Sequence, residues 1–448
     1  MQTAYTAAND TYDRFLLRRR KAGLWIAWHE LGHELRSARD TFWAVGHDPR
    51  LPRETRAIAL MNGANALSTV GRHFEALDTY EHAAKLRPDD GMVRGNRGVE
   101  LYTLALGLRQ SHSLLVGRAR EDLAFAVQAE HLDGNAGAIF KQCLDRLSHH
   151  ADEPVEARIR EYEDPYSRWA YEQNLLLSAS LGAMPPEDQL DTASATGLVT
   201  KLEAFSTDDS PVPPALSAIN AIKRDYLTAR LMAYLATQRP PEVKLGARSR
   251  SARYVDTLDY AFWDLPTGLA ASSYASALNL ADKMATFVAF WLTLPHEHVN
   301  DRNWAFVPVR RASRGSSGSA PLCGPVRPQL ETIMRDNAGK LTGLLGLIDL
   351  AQEEAESISR QSRRDVRDAA VHQFLSVRMF MRDKPSDFIH AVRQDELQTD
   401  LITALRQVRR MFLQIILAVG QKGRLDAGDR TMPMTMTDYE NPMTSGEP

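Results

Sequence analysis

Apolar residues recur at helical spacing along almost the whole chain, and no segment shows sustained alternation of apolar and polar residues. In a helix, residues three or four positions apart share one face, whereas a half-buried strand alternates at every second residue. A clear example of the helical spacing is the series Tyr274, Leu278, Ala281, Ala285 and Val288. The pattern therefore predicts an all-α protein.

The first third of the chain repeats a pattern of small and large residues about every 32 to 34 positions. The best unit places its key residues at Leu60, Ala64, Leu67, Gly71, Ala76, Tyr80, Ala83 and Pro88. A degenerate unit precedes it around Trp28 and Leu35, and a partial unit follows with Gly98 and Leu101. Small residues suit the point where two helices cross, and proline ends the pair. The pattern resembles tetratricopeptide (TPR) repeats and predicts an N-terminal α-solenoid over residues 1–135, which we expect to bind a protein or peptide ligand.

Charge and cysteine content exclude several classes of protein. The 448 residues carry a formal net charge of −3, so nucleic-acid binding requires a local basic patch instead of an overall basic field. Two cysteines rule out a disulfide framework and suit a reducing cytoplasm. No signal peptide is predicted, and the longest apolar run, residues 284–294, is too short to span a bilayer. We therefore expect a cytoplasmic protein with no membrane partner.

Composition shifts divide the rest of the chain. Residues 136–245 are predicted to be a helical middle region that continues or bridges the array. A basic, serine-rich linker at 246–253 begins the last domain, 246–423, which is predicted to be an antiparallel helical bundle. A loop followed by a long helix is expected over 254–294, and further helices are expected near 327–358, 365–381 and 395–422. Residues 424–448 are predicted to be a disordered tail.

Residues His29 to His33 read His-Glu-Leu-Gly-His, a literal HExxH motif. On a helix this spacing places two imidazoles on one face for Zn²⁺, with the glutamate as general base. The TPR-like spacing already explains this helix, and a zinc protease also needs a third ligand. Glu54 lies at a suitable distance in sequence but in a proline-rich turn, and residues 296–298 read His-Glu-His. We predict no metal and no cofactor, with a zinc metalloprotease using His29, Glu30 and His33 as the second alternative.

The segment 362–374 places an arginine, an acid and a histidine at Arg367, Asp368 and His372. Asp368 and His372 are four positions apart, so on a helix they share a face and the carboxylate can orient the imidazole. The long side chain of Arg367 can reach the same cleft. Taken alone, the three residues are equally explained by an ion pair and a histidine on a solvated helix face.

Seven clusters of residues accompany this motif in a fixed order along the chain. They are residues 95–98, 166–174, 223–230, 255–260, 274–287, 343–350 and 367–377. Taken alone, the second and third are interpreted as core aromatic residues with a salt-bridged surface. Together the seven resemble a bacterial family that joins an N-terminal TPR array to a C-terminal HEPN domain (higher eukaryotes and prokaryotes nucleotide-binding), over residues 55 to 420. The chain departs from the family at Asp368, where asparagine is more usual, and at Gln373, where the family favours a basic residue.

The resemblance implies a metal-independent endoribonuclease with catalytic residues Arg367, Asp368 and His372. Because one histidine cannot comfortably be base and acid at once, it also implies a homodimer with two such sets in one cleft. The expected contacts to RNA are Arg310, Arg311, Arg314, Arg363 and Arg364. The TPR region is expected to be a sensor, in a toxin or anti-phage defence role. The first alternative is a non-catalytic TPR/HEPN scaffold that binds protein or nucleotide partners.

Overall fold

The computed structural model describes residues 2–108, 112–130, 132, 134–147, 164–178, 191, 193, 214–238, 261–262, 264–292, 326–356, 374–378 and 389–427. These residues form thirteen helices and three short strands, which confirms the prediction of an all-α protein. The helices are α1 (Gln2–Ala22), α2 (Leu24–His47), α3 (Arg53–Thr69), α4 (His73–Leu86), α5 (Gly91–Gly107), α6 (His112–Val127), α7 (Ala136–Leu147), α8 (Pro165–Glu172), α9 (Pro214–Gln238), α10 (Leu265–Trp291), α11 (Val326–Asn337), α12 (Thr342–Glu356) and α13 (Gln394–Ala427). None of these described helices combines the length and hydropathy that a membrane span requires.

Helices α1 to α6 form an N-terminal array in which each helix packs against the next one along the chain. Helices α3 and α4 coincide with the best repeat unit. Ala64 and Ala76 are fully buried and cluster with Tyr80, whose hydroxyl donates to Asn65 Oδ1 (2.5 Å). The small residues therefore allow the two helices to approach closely, as the repeat pattern requires. Assignment of the array to the TPR class stays a prediction.

Local signals in the sequence fix several helix ends. Asp90, Asp164 and Asp264 are N-caps whose carboxylates accept backbone N–H groups from the first turns of α5, α8 and α10. Gly71 closes the turn between α3 and α4 with a φ of 83°, a left-handed conformation that glycine adopts without steric cost. The turn at Gly71 and the cap at Asp90 thus join α3, α4 and α5 of the array through short connections.

The C-terminal bundle is built around α13. This helix packs against α10 and α12, and α10 packs along α9. The buried core of the bundle includes Tyr274, Met284, Leu344, Leu345, Ile348, Leu401, Val408, Phe412 and Ile416. Two expectations need correction: the helix predicted over 327–358 is interrupted between α11 and α12, and α13 continues to Ala427. Residues 428–448, where a disordered tail is predicted, lie outside the described residues.

A small sheet interrupts the helical pattern near the predicted motif. Strand β1 (Ala261–Phe262) pairs antiparallel with β2 (Phe374–Arg378), and β2 pairs in parallel with β3 (Ile389–Arg393), which gives the order β1-β2-β3. Residues 374–378 are therefore a strand, and the prediction of a helix over 365–381 is wrong for these five residues. The strand is too short for its alternation to stand out from a helical pattern.

The two clusters in the middle of the chain pack against each other through α8 and α9. Arg230 is 3% exposed and binds both oxygens of Asp191 (2.6 and 2.8 Å) and the hydroxyl of Tyr166 (2.8 Å). Tyr166 and Trp169 also pack against the ring of Tyr234. The prediction of aromatic core residues holds for Trp169 and Tyr226, but the ion pair at Arg230 is buried and not on the surface.

Candidate functional site

The predicted catalytic residues Arg367, Asp368 and His372 lie outside the described residues. The same holds for the arginines proposed to contact RNA: Arg310, Arg311, Arg314, Arg363 and Arg364. The structure describes the elements on either side of the motif. Helix α12 ends at Glu356, and β2, the central strand of the sheet, begins at Phe374, two positions after His372. In the sequence, the motif therefore lies between α12 and β2.

Helix α12 is attached to the N-terminal array by a cluster of charges, here called the arginine junction: Arg36, Arg39, Arg72, Asp349 and Glu353. Asp349 Oδ1 accepts from Arg36 (3.0 Å), and Oδ2 accepts from Arg39 (2.7 Å) and Arg72 (3.3 Å). Arg39 also binds Glu353 at 2.9 Å, and Arg72 contacts the same carboxylate. Asp349 is 1% exposed, so its contacts form in the protein interior, whereas the side chain of Glu353 is about half exposed.

Two further groups complete the arginine junction. Trp28 Nε1 donates to Asp349 Oδ1 (2.8 Å). Glu75 accepts two hydrogen bonds from Arg72 (2.6 and 2.5 Å) and lies 3.2 Å from Arg410 of α13. Buried charges persist in proteins only when they are paired and hydrogen-bonded. Arg36 and Arg39 of α2 and Arg72, which precedes α4, meet the three carboxylates of Asp349, Glu353 and Glu75, which satisfies this condition.

The positive charges of the arginine junction lower the pKa values of Asp349 and Glu75. Burial acts to raise the pKa of Asp349, but the positive charges of Arg39, Arg72 and Arg36 outweigh it and hold that pKa well below its ordinary value. Burial likewise acts to raise the pKa of Glu75, and Arg72 and Arg410 lower it to about 2. Both acids are therefore ionised at neutral pH.

A second buried network joins the array to the start of α12. His73 Nδ1 lies 2.7 Å from Glu100 Oε1, and His73 Nε2 lies 2.8 Å from the hydroxyl of Thr342. Ser68 donates to the other oxygen of Glu100 (2.6 Å), and Gln421 of α13 donates to Thr342 (2.8 Å). An acid, an imidazole and a hydroxyl in this order are also found in hydrolases. Because His73 is 3% exposed and Glu100 2%, we interpret this set as a packed contact.

Helix α13 holds the segment after α8 by two further arginines. Arg406 donates to the backbone oxygen (2.7 Å) and the side-chain oxygen (3.0 Å) of Gln173. Arg409, 1% exposed, donates to the backbone oxygen of Leu176 (2.6 Å). In the same turn Asn174 has a φ of 56° and donates to Asp78 of α4 (2.8 Å). The turn thus connects α13 to the array.

The HExxH motif lies on α2, as the sequence predicts, but its glutamate is already bound. Arg18 of α1 donates to both oxygens of Glu30 (2.5 and 2.6 Å), and this hydrogen bonding lowers the pKa of Glu30. Glu54 lies in the first turn of α3 and not in a turn between helices, which corrects the expectation from the sequence. Within the described ranges, no group of three or more His, Cys, Asp or Glu side chains is placed to hold a metal ion. These contacts do not support a zinc protease at His29, Glu30 and His33.

Comparison with protein families gives evidence on the C-terminal part of the chain that is independent of the structure. Residues 206–422 match the family model described as LA2681-like HEPN. These residues form a HEPN-family domain. The match includes the predicted motif, and it begins before α9, which the sequence analysis assigned to the middle region. Comparisons with curated proteins and with solved structures found no match to the chain.

The sequence patterns do not indicate the arginine junction. Asp349 belongs to one of the seven clusters, but neither these clusters nor the repeat spacing single out Arg36, Arg39 or Arg72. Arg36 and Arg39 are three positions apart on a face that also carries the buried residues Trp28 and Leu35. Charged residues on an apolar helix face are a signal for buried pairing, but the sequence does not reveal their partner 310 or more positions away.

Proposed function

We propose that the protein is a metal-independent endoribonuclease that cleaves RNA with Arg367, Asp368 and His372 of its HEPN domain. The observation that carries the proposal is the family match over residues 206–422, because the matched range includes the Arg-Asp-x3-His motif. Support also comes from the position of the motif between α12 and β2, two elements that the rest of the domain holds in place.

Cleavage of RNA without a metal needs three chemical roles. A base removes the proton from the 2′-hydroxyl, an acid protonates the leaving 5′-oxygen, and positive charge stabilises the phosphorane. A histidine with the ordinary pKa of about 6.5 suits the first two roles in its neutral and protonated forms, and we assign both roles to His372. Arg367 suits the third by bidentate contact with the phosphate. Asp368 orients His372.

The proposed enzyme is a homodimer with RNA as its substrate. Two protomers supply two histidines to one cleft, one as base and one as acid. Arg310, Arg311, Arg314, Arg363 and Arg364 contact the RNA backbone. The N-terminal array, proposed to be TPR-like, recognises a protein or peptide and controls the nuclease through the arginine junction. We propose that the enzyme acts in the cytoplasm, in a toxin or anti-phage defence role.

The direct test is RNA cleavage in the presence of EDTA. Wild-type protein is expected to cut a mixed RNA substrate, and His372→Ala or Arg367→Ala is expected to cut it roughly 100-fold more slowly or worse. His33→Ala is the matched control, because His33 is exposed on α2, and it should cut at the wild-type rate. Circular dichroism confirms that each variant is folded.

The same experiment separates the alternatives. A scaffold leaves RNA intact in every sample. If wild-type protein cuts RNA and folded His372→Ala cuts it equally well, the assignment of the site is wrong. Activity that EDTA abolishes and His33→Ala removes would instead favour metal chemistry at the HExxH motif.

A further inference from the structure

A cavity of about 730 Å³ lies where the array, the turn after α8 and the bundle meet. Its walls come from α2, α3, α4, residues 171–174, the end of α12 and α13. Small-molecule sites usually have volumes of roughly 300 to 1,000 Å³. We call this cavity the junction cleft, because the arginine junction forms its inner wall through Arg39, Arg72 and Glu353.

Acidic and basic side chains are present in similar numbers in the junction cleft, and several of them are paired within the protein. The lining of the cleft includes six carboxyl groups (Asp40, Glu75, Asp78, Glu81, Glu172 and Glu353) and five Lys or Arg side chains (Arg39, Arg72, Lys85, Arg406 and Arg410). Arg39 and Arg72 contact the carboxylates of the arginine junction. Glu81 pairs with Arg97 at 3.1 Å. A cleft with this balance of charge does not attract a polyanion such as an RNA strand.

Arg406 and Arg410 lie on the α13 side of the cleft. Arg406 donates hydrogen bonds to two neutral oxygens of Gln173. Burial, followed by the positive charge of Arg410, lowers the pKa of Arg406, against the opposing charge of Asp78. Arg410 is 35% exposed and shares Glu75 with Arg72, which already binds both oxygens of that carboxylate. The two guanidinium groups lie one turn apart on α13, and both line the cleft.

An aromatic surface lines another part of the cleft. The Trp43 side chain is half exposed, although it is large and apolar. Its ring packs on His47 (3.9 Å between centroids), and His82 of α4 lies 6.2 Å away. An exposed aromatic face at a concave site suits a planar ring of a ligand.

Asn174 also lines the cleft, directly after the end of α8. Its φ of 56° is left-handed, as is common for asparagine after a helix end, and the backbone N–H groups of Asn174 and Leu175 donate to the oxygens of Tyr171 and Ala170. Its amide donates to Asp78, whose pKa burial raises above the ordinary value. The position of Asn174 in the cleft is therefore fixed by the end of α8 and by α4.

We propose that the junction cleft binds a small organic oxyanion, with its carboxylate or phosphate between Arg406 and Arg410 and an attached planar ring against Trp43. Carboxylate and phosphate are the groups that arginine pairs bind with two parallel hydrogen bonds. The acids of the lining limit the ligand to one anionic group. This proposal concerns binding alone and does not depend on RNA cleavage by the HEPN domain.

Isothermal titration calorimetry on the full chain tests the proposal with three probes. Adenosine 5′-monophosphate presents a phosphate on a ring compound, N-acetyl-L-tryptophan presents a carboxylate, and adenosine presents a ring without an anion. One of the two anionic probes is expected to bind, and which one does so identifies the oxyanion. Adenosine is expected to bind at least roughly tenfold more weakly than the phosphate probe if phosphate is the group bound.

Variants locate the binding in the cleft. Arg410→Gln and Trp43→Ala, both at partly exposed positions, are each expected to weaken binding by roughly tenfold or more. Arg410→Lys keeps the charge but not the bidentate geometry, so its affinity should lie between those of wild type and Arg410→Gln. Arg224→Gln removes an arginine that is 74% exposed and outside the cleft, and it should bind as wild type does.

Several outcomes overturn the proposal. One is the absence of binding by both anionic probes at millimolar concentration. Another is binding that Arg410→Gln and Trp43→Ala leave unchanged while circular dichroism shows them folded. A third is an RNA oligonucleotide that binds in an Arg410-dependent manner when neither anionic probe binds, because the cleft would then be a nucleic-acid site.

Discussion

Asp349 shows how much of this structure depends on a single residue. Its carboxylate accepts hydrogen bonds from three arginines and one indole, and all four donors come from the N-terminal array. Replacing a buried ion pair by apolar groups often costs little, but removing one partner leaves an uncompensated charge in the interior. Removing the carboxylate of Asp349 alone is therefore expected to destabilise the folded protein by more than the loss of its four hydrogen bonds.

The first residue-scale prediction concerns Asp349→Asn. The amide has nearly the same shape but cannot balance the arginines, so we expect the free energy of unfolding to fall by about 3 to 5 kcal/mol at pH 7. Urea unfolding followed by circular dichroism measures it. Asp395→Asn is the control, because Asp395 pairs with Arg393 on the surface, and its unfolding midpoint should match wild type.

The pH dependence of the same variant gives an independent check. The pKa of Asp349 in the folded protein lies below its ordinary value of 3.8, so the unfolded chain binds this proton more tightly. The stability that Asp349 contributes is present above the unfolded pKa and is lost as the pH falls towards the folded one. The gap between wild type and Asp349→Asn should narrow below about pH 4, by up to about 1.4 kcal/mol per pH unit. A gap that stays constant from pH 7 to pH 2.5 would contradict this explanation.

At the scale of residues, the sequence predicts which chemical groups form a motif better than it predicts which side chains bind them. The spacing of the HExxH motif predicts that it lies on a helix, and α2 confirms this. The hydrogen bonds from Arg18 to Glu30 are visible only in the structure. The Arg-Asp-x3-His motif lies in the matched domain, and its geometry stays a prediction. Pairings of this kind depend on side chains from separate elements, which spacing along one helix does not encode.

At the scale of elements, the long helices α10 and α13 follow directly from their apolar spacing, with small differences at the ends. Strand β2 does not. Its sequence, Phe-Leu-Ser-Val-Arg, fits one face of a helix as well as a strand, and its parallel partner begins fifteen positions later, at Ile389. Short apolar segments are ambiguous in this way because tertiary pairing decides their conformation.

The element-scale prediction concerns the contact between α12 and the α3–α4 turn. A Cβ atom added to Gly346 would lie 2.3 Å from the backbone oxygen of Gly71. Gly71 is held in a left-handed turn, so the backbone cannot move aside easily. We expect Gly346→Ala to lower the free energy of unfolding by about 1 to 3 kcal/mol, measured by urea unfolding.

Gly268→Ala is the matched control for this prediction. Gly268 is also within a helix, α10, and an added Cβ meets no atom within 4 Å. Alanine there should leave stability unchanged or raise it by up to about 1 kcal/mol, because alanine favours the helix. Equal effects of the two substitutions would show that the close contact at Gly346 does not restrict packing.

At the scale of the whole molecule, the sequence predicted an N-terminal helical array and a C-terminal bundle but not how they join. The hydrogen bonds of Asp349 connect residues 277 to 321 positions apart. The periodicity of a sequence does not report on contacts over such a distance. The structure adds that α12 and α13, two helices of the bundle, are both bound by the array.

The last prediction tests the proposed composite site by the stoichiometry of its histidines. If one cleft needs His372 from both protomers, a heterodimer of wild type and His372→Ala has lost either the base or the acid. Such a heterodimer, isolated with a different affinity tag on each chain, should cut RNA in EDTA roughly 100-fold more slowly than the wild-type dimer. Two independent sites would instead retain about half of the activity. A heterodimer of wild type and His33→Ala controls for the tags and should cut at the full rate. Half-activity in the first heterodimer, with full activity in the second, would mean that each protomer cuts RNA by itself.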